Sequence, residues 1–287
     1  MASRVSVSQI TTLGSSFADD LQTYADAGLD GIGIWELKLA EGDDGRAHEQ
    51  FAASGLASAA AVPAVPSILP LPLLGGPEDP AERVDAYCRS LERLAPFEPA
   101  CTVLLTGTGD RDVAVEGLRT VAAEAERLGV TIGLEPYQRE GGELWSVVHS
   151  IPEALELIRD AGDPPNVGIQ FDVWHLWNTE TLFDDIEREV DRFVGVHVCD
   201  RREPTRGWAD RALPGDGVAD VPAILAALDR AGWDGLYDIE IFSDDGTFGS
   251  AYPDSYWAAP AAETIRAARA AFDRCLTLTP QEVEERP

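Results

Sequence analysis

The chain has 287 residues, 45% of them hydrophobic, which is enough to bury a core without disulfide or metal staples. Its 22 Lys+Arg stand against 51 Asp+Glu, a formal charge of −29, so phosphate backbones and anionic lipid surfaces would repel it. This argues against a nucleic-acid partner and against a membrane partner. The four cysteines, Cys88, Cys101, Cys199 and Cys275, are widely spaced and form no CxxC pair, as expected of a reduced, cytoplasmic compartment. No basic segment followed by an apolar run opens the chain, so no signal peptide is expected. The apolar stretch 56–74 is interrupted by Pro63, Pro66, Pro70 and Pro72 and cannot be a membrane span.

One grammar repeats along the chain. A short apolar, β-branched run ends in a polar residue, a loop follows, and then a helical stretch rich in Ala, Leu, Arg and Glu. The strands are expected at 5–10, 31–35, 57–62, 102–105, 131–135, 167–172, 193–198 and 236–241. The helices following them are expected near 17–27, 46–54, 80–95, 111–128, 150–161, 180–191, 221–231 and 257–275. Gly28, Gly55, Gly129 and Gly232 each close a helix just before or at the start of the next strand, as a left-handed C-cap requires. Eight βα units with no linker predict a single-domain α/β (β/α)₈ barrel over residues 1–276, with a doubly wound sheet as the alternative and a polar tail at 277–287. The Pro-rich loop 63–80 is placed to form a wall or lid.

In such a barrel, reactive groups gather at the C-terminal ends of the strands. Strand 5 ends in Glu135, strand 6 in Asp172, strand 7 carries His197 near its end, and strand 8 ends in Glu240. Each is flanked by apolar strand residues, where a lone carboxylate is costly unless paired or bound to a cation. Three carboxylates and an imidazole suit one divalent ion, Mn²⁺ first, with Mg²⁺, Co²⁺ or Zn²⁺ also admissible. The competing reading is a polar network holding the barrel mouth.

Glu135, Asp172, His197 and Glu240, with Asp172 and His175 in an Asp-x-x-His spacing, resemble the sugar isomerase/epimerase superfamily with a xylose-isomerase-like barrel. The segment Leu213-Pro214-Gly215-Asp216-Gly217 resembles that family's PG-x-G turn. The resemblance covers nearly the whole chain. It implies that the four residues bind one divalent metal, that Glu135 and Glu240 double as the catalytic acid/base pair, and that His175 contacts a substrate oxygen. The implied reaction is proton abstraction beside a carbonyl polarised by the metal, giving an enediolate and then epimerisation or isomerisation of a sugar-like substrate. A lyase that expels a β-leaving group shares the first step, as in inosose dehydration or elimination from an oxidised glycoside. A non-catalytic sugar-binding or subunit-interaction barrel is the alternative from another class. The resemblance also implies a homodimer or homotetramer.

Other residues are candidates by type and place. Arg201 and Arg202, with Arg206 after them, follow strand 7 and offer planar forks for an anionic or hydroxylated substrate end. Trp35 is placed to stack on a sugar face, and Lys38 to donate to the substrate. Thr106-Gly107-Thr108-Gly109 lacks a Walker lysine and reads as a tight turn. His149 and His48 read as local structure and as a solvent-facing side chain.

Overall fold

The computed structural model describes residues 3–277, with the side chains of Arg139 and Glu140 left aside. The strands are β1 (Arg4–Ser8), β2 (Gly31–Trp35), β3 (Ala57–Val62), β4 (Cys101–Leu104), β5 (Ile132–Leu134), β6 (Val167–Asp172) and β7 (Phe193–Val198), a short pair β8 (Asp200–Arg201) and β9 (Arg211–Ala212), and β10 (Leu236–Ile239). All but β8 and β9 form a closed barrel in the order β1-β10-β7-β6-β5-β4-β3-β2, every neighbour parallel. Closure removes the unpaired edges that an open sheet would leave. The fold is thus the single-domain (β/α)₈ barrel expected from the eight units; most of the proposed tail lies outside the described residues.

Helices cover the outside: α1 (Phe17–Asp26), α2 (Asp44–Ser54), α3 (Pro80–Leu94), α4 (Arg111–Leu128), the short α5 (Arg139–Gly142), α6 (Ile151–Asp160), the short α7 (Val173–Leu176), α8 (Leu182–Glu189), α9 (Val221–Ala231) and α10 (Ala261–Thr277). Their starts follow from side-chain chemistry. Ser16, Asp79, Asp110, Ser150 and Asp220 each accept a backbone N–H of the first turn, satisfying donors the helix itself cannot. Gly55, Gly129 and Gly232 end α2, α4 and α9 in the left-handed region, as their sequence positions predict. No helix among the described residues is long and apolar enough to cross a membrane.

The Pro-rich segment after β3 is a fixed wall. Buried Arg83 on α3 gathers it, donating to the carbonyls of Ser67, Gly75 and Pro77. Gly107 crosses beneath this segment at φ +74°, where a Cβ would meet the Leu69 carbonyl oxygen at 2.2 Å. The Thr106–Gly109 turn therefore does packing work, in line with its reading as a tight loop. Pairing of Asp210 with Ser243 and a bond from Arg211 N–H to the Phe242 carbonyl lay the β8–β9 hairpin across the barrel mouth.

Candidate active site

The strand ends bring their polar residues to one place. Asp172 pairs in register with His197, and His197 with Asp238 on β10. Ligand atoms of Glu135, Asp172 and His197 all lie within 4.8 Å of one another, and all three residues are buried. Glu240 stands at the edge of this trio: its Oε2 is 3.4 Å from His197 Nδ1, while Glu135 Oε1 is 3.5 Å from the same nitrogen. Tyr137 donates to Glu135 Oε2 at 3.0 Å, and Ser8 donates to Glu240 Oε1 at 3.3 Å.

The Asp-x-x-His spacing has a local cause. Asp172 caps the single turn α7 by accepting from the Trp174 N–H at 2.7 Å, and that turn swings His175 back over the site. His175 Nε2 then lies 3.4 Å from Asp172 Oδ2, with its ring against Tyr137.

Arg211 went unnoticed in the sequence and sits at the centre. Its Nη1 donates to Asp172 Oδ2 at 2.9 Å and to Glu240 Oε2 at 3.0 Å, and its guanidinium lies under Phe242 and Trp174. Asp200 holds the hairpin that delivers it, accepting from the backbone N–H groups of Gly217 and Ala219. That is what the Leu213–Gly217 turn does physically: it offers amides to a buried carboxylate. The only sequence signal for Arg211 is its place two residues before that turn.

Asp238 was also missed, although Asp238 and Glu240 are two apart on a strand and so share the barrel-facing side. Its Oδ2 lies 3.7 Å from His197 Nε2. Gly33 leaves the room, since a Cβ there would come within 2.2 Å of that oxygen. At 3.7 Å Asp238 is an electrostatic neighbour of the ring and not a hydrogen-bond partner, and a carboxylate so placed raises the imidazole's basicity toward a cation on the other nitrogen. Asp238→Asn is therefore expected to weaken divalent-metal binding by about 10–100-fold; unchanged affinity in a competition titration with a metallochromic dye would remove Asp238 from this role.

The electrostatics follow from burial and close charges. Burial, with Asp172 and Glu240 near, pushes Glu135 up to about 7 against the opposing pull of His197. Burial alone would lower His197, but the carboxylates of Glu240, Glu135 and Asp238 hold it up to about 10. Burial and the Arg211 cation drive His175 down to about 3 against the pull of Asp172, so its imidazole is neutral. Burial pushes Asp172 up, but Arg211, His175, His197 and the Trp174 N–H together hold it below its ordinary value. Glu135 Oε1 and both His197 ring nitrogens are buried with no hydrogen-bond partner. Buried polar atoms without partners are rare; here they belong to the group that fits a divalent ion, and their oxygen and nitrogen donors suit one.

The remaining candidates divide. Trp35 lines the cavity above these groups, its indole N–H donating to Ser8 Oγ at 2.8 Å. Arg201 lines an adjoining lobe with its guanidinium stacked on Trp174. Lys38 is not brought to the site: its amine is buried against Asp20 Oδ2 at 2.7 Å and the Thr12 carbonyl at 2.6 Å, a pairing that a buried ammonium requires. Arg202 is not brought there either. It pairs with Asp210 at 3.1 Å, and Arg206 binds Asp210 and Asp254 beside it. His149 rests on the Tyr137 carbonyl, and His48 is exposed.

Comparisons with known proteins give the family. The family model described as xylose isomerase-like TIM barrel matches residues 21–275. A D-psicose 3-epimerase of Enterocloster bolteae is 30% identical over 144 residues, 50% of this chain and 44% of that protein. An inosose isomerase of Bacillus velezensis is 26% identical over 160 residues, 54% of this chain and 52% of that protein. The chain thus spans about half the length of the curated relatives it matches. A crystal structure of a protein from Sinorhizobium meliloti 1021 superposes with a TM-score of 0.81 at 26% identity, over 94% of this chain and 98% of that one. The closed eight-stranded barrel and the family match along most of its length make this chain a member of the xylose isomerase-like TIM barrel family.

Proposed function

We propose that the protein is a divalent-metal-dependent isomerase or epimerase acting on a sugar or related polyhydroxy-carbonyl compound. The observation that carries this reading is the buried Glu135–Asp172–His197 group, whose Glu135 Oε1 and His197 nitrogens accept or donate no hydrogen bond among the described residues. Glu135, Asp172 and His197 would hold the ion, with Glu240 at the edge as a fourth candidate. A bound divalent ion supplies Lewis acidity toward a carbonyl oxygen and its neighbouring hydroxyl.

The chain's own residues do the rest. Glu135 and Glu240 both approach His197 Nδ1, at 3.5 and 3.4 Å, which gives two carboxylates to take a proton and return it. In the metal-free protein burial pushes Glu135 up to about 7; a bound cation would favour its ionised form, the state that accepts a proton. Tyr137 fixes one of its oxygens. Arg211 balances the charge of Asp172 and Glu240. Neutral His175, beside Arg211 Nη2 at 3.4 Å, is placed to hydrogen-bond a substrate oxygen. The low-dielectric setting strengthens each of these contacts.

Solvent exchange tests the reading. The manganese-loaded protein, incubated with a panel of ketoses in D₂O, is expected to place deuterium on the carbon next to the carbonyl. Products retaining all their oxygens indicate isomerisation or epimerisation, and loss of water indicates elimination. No exchange with any member of the panel, in protein shown to hold metal, contradicts the reading.

A further inference from the structure

We infer that the compound this site acts on is a polyhydroxy-carbonyl molecule carrying a flat aromatic substituent, rather than a bare sugar. The inference rests on the function proposed above and names the substrate class within it. The acidic and basic side chains lining the main cavity are Glu135, His175, His197, Arg211 and Glu240, at its floor. The rest of the cavity's lining is aromatic and aliphatic.

One wall is a continuous arc of rings. Tyr137 stacks on Trp145 at 5.7 Å between centroids, Trp145 meets Trp208 at 5.3 Å, Trp208 meets Phe242 at 5.6 Å, and Phe242 meets Trp35 at 5.7 Å. The β3 and β4 ends and the wall segment add Val62, Leu105, Pro66 and Leu74 to the same lining. The polar ends of two arc residues are already committed. The Trp35 N–H donates to Ser8, and the Tyr137 hydroxyl donates to Glu135.

A sugar ring can lay its apolar face on such a wall, but its edges carry hydroxyls, and hydroxyls taken from water need partners. The lining combines rings with aliphatic groups, so its chemistry matches a flat ring with no polar edge. Arg83 ties the wall segment down through three backbone carbonyls.

Titration calorimetry with phenyl β-D-glucopyranoside and methyl β-D-glucopyranoside tests this on the full-length, manganese-loaded chain. The phenyl glycoside is expected to bind about tenfold or more tightly than the methyl one. That ratio should fall toward one in Trp208→Ala and persist in Trp208→Phe, with thermal unfolding confirming that both variants are folded. Equal affinities, no detectable binding of the phenyl glycoside, or a ratio unchanged in Trp208→Ala would overturn the inference. The metal-free protein should keep the ratio, because the ring-lined wall includes none of the residues that would hold the metal. An intact ratio together with absent C–H exchange would therefore count against the proposed reaction alone.

Discussion

Glu135→Gln is expected to lower the rate of carbon-bound deuterium exchange by about 10²–10⁴-fold, the usual worth of a positioned general base, without unfolding the protein. The amide keeps the shape and still accepts from Tyr137, but it cannot carry a proton. Stability should move the other way. Burial raises the folded-state value of Glu135 to about 7, above its ordinary value of 4.5. Its stabilising contribution is therefore fully present below the unfolded value and is lost as pH rises through about 7. At pH 8 the metal-free glutamine variant should be at least as stable as the parent chain. A carboxylate kept at a destabilising position is what a working site requires. Chemical denaturation at pH 8 and D₂O exchange on one preparation check both halves. Retained exchange in the variant would move the base elsewhere.

Arg211→Leu is expected to destabilise the metal-free protein by about 3–5 kcal/mol, the cost of breaking a buried ion pair by removing one partner. Asp172 and Glu240 would be left facing each other without the cation that now lies 2.9 and 3.0 Å from their oxygens. Adding manganese should recover much of this loss, because a divalent cation restores positive charge beside the same carboxylates. Urea unfolding of both chains, with and without metal, measures the two differences. An equal loss in both conditions would mean that the arginine serves packing alone, through its contacts with Trp174 and Phe242.

The fold was legible because each βα unit announces itself locally. The apolar run of β6 and the amphipathic face of α6 need no distant information, and Gly129 marks the end of α4 wherever the chain goes next. The candidate metal trio was legible for a related reason: barrel closure turns the last residues of successive strands into neighbours, so chain position alone brings Glu135, Asp172 and His197 together. Residues outside that rule escaped. Arg211 reaches the centre only because an irregular hairpin folds back across the mouth, and no periodic pattern encodes that return. Lys38 follows a strand end, as a substrate donor would, yet Asp20 on α1 captures it from 18 positions away. Arg202 and Arg206 attract notice as a basic cluster, but Asp210 and Asp254 neutralise them outside the cavity. Asp238 was within reach of the period-two rule and needed the His197 register to acquire a role.

Metal content per chain, measured by mass spectrometry on the purified protein and on folded Glu135→Ala/Asp172→Ala, tests the central claim most directly. About one Mn, Mg, Co or Zn per parent chain, absent from the folded double variant, is the predicted result. A parent chain that takes up no divalent ion even after reconstitution would contradict it, and the strand-end residues would then be a structural polar network centred on Arg211.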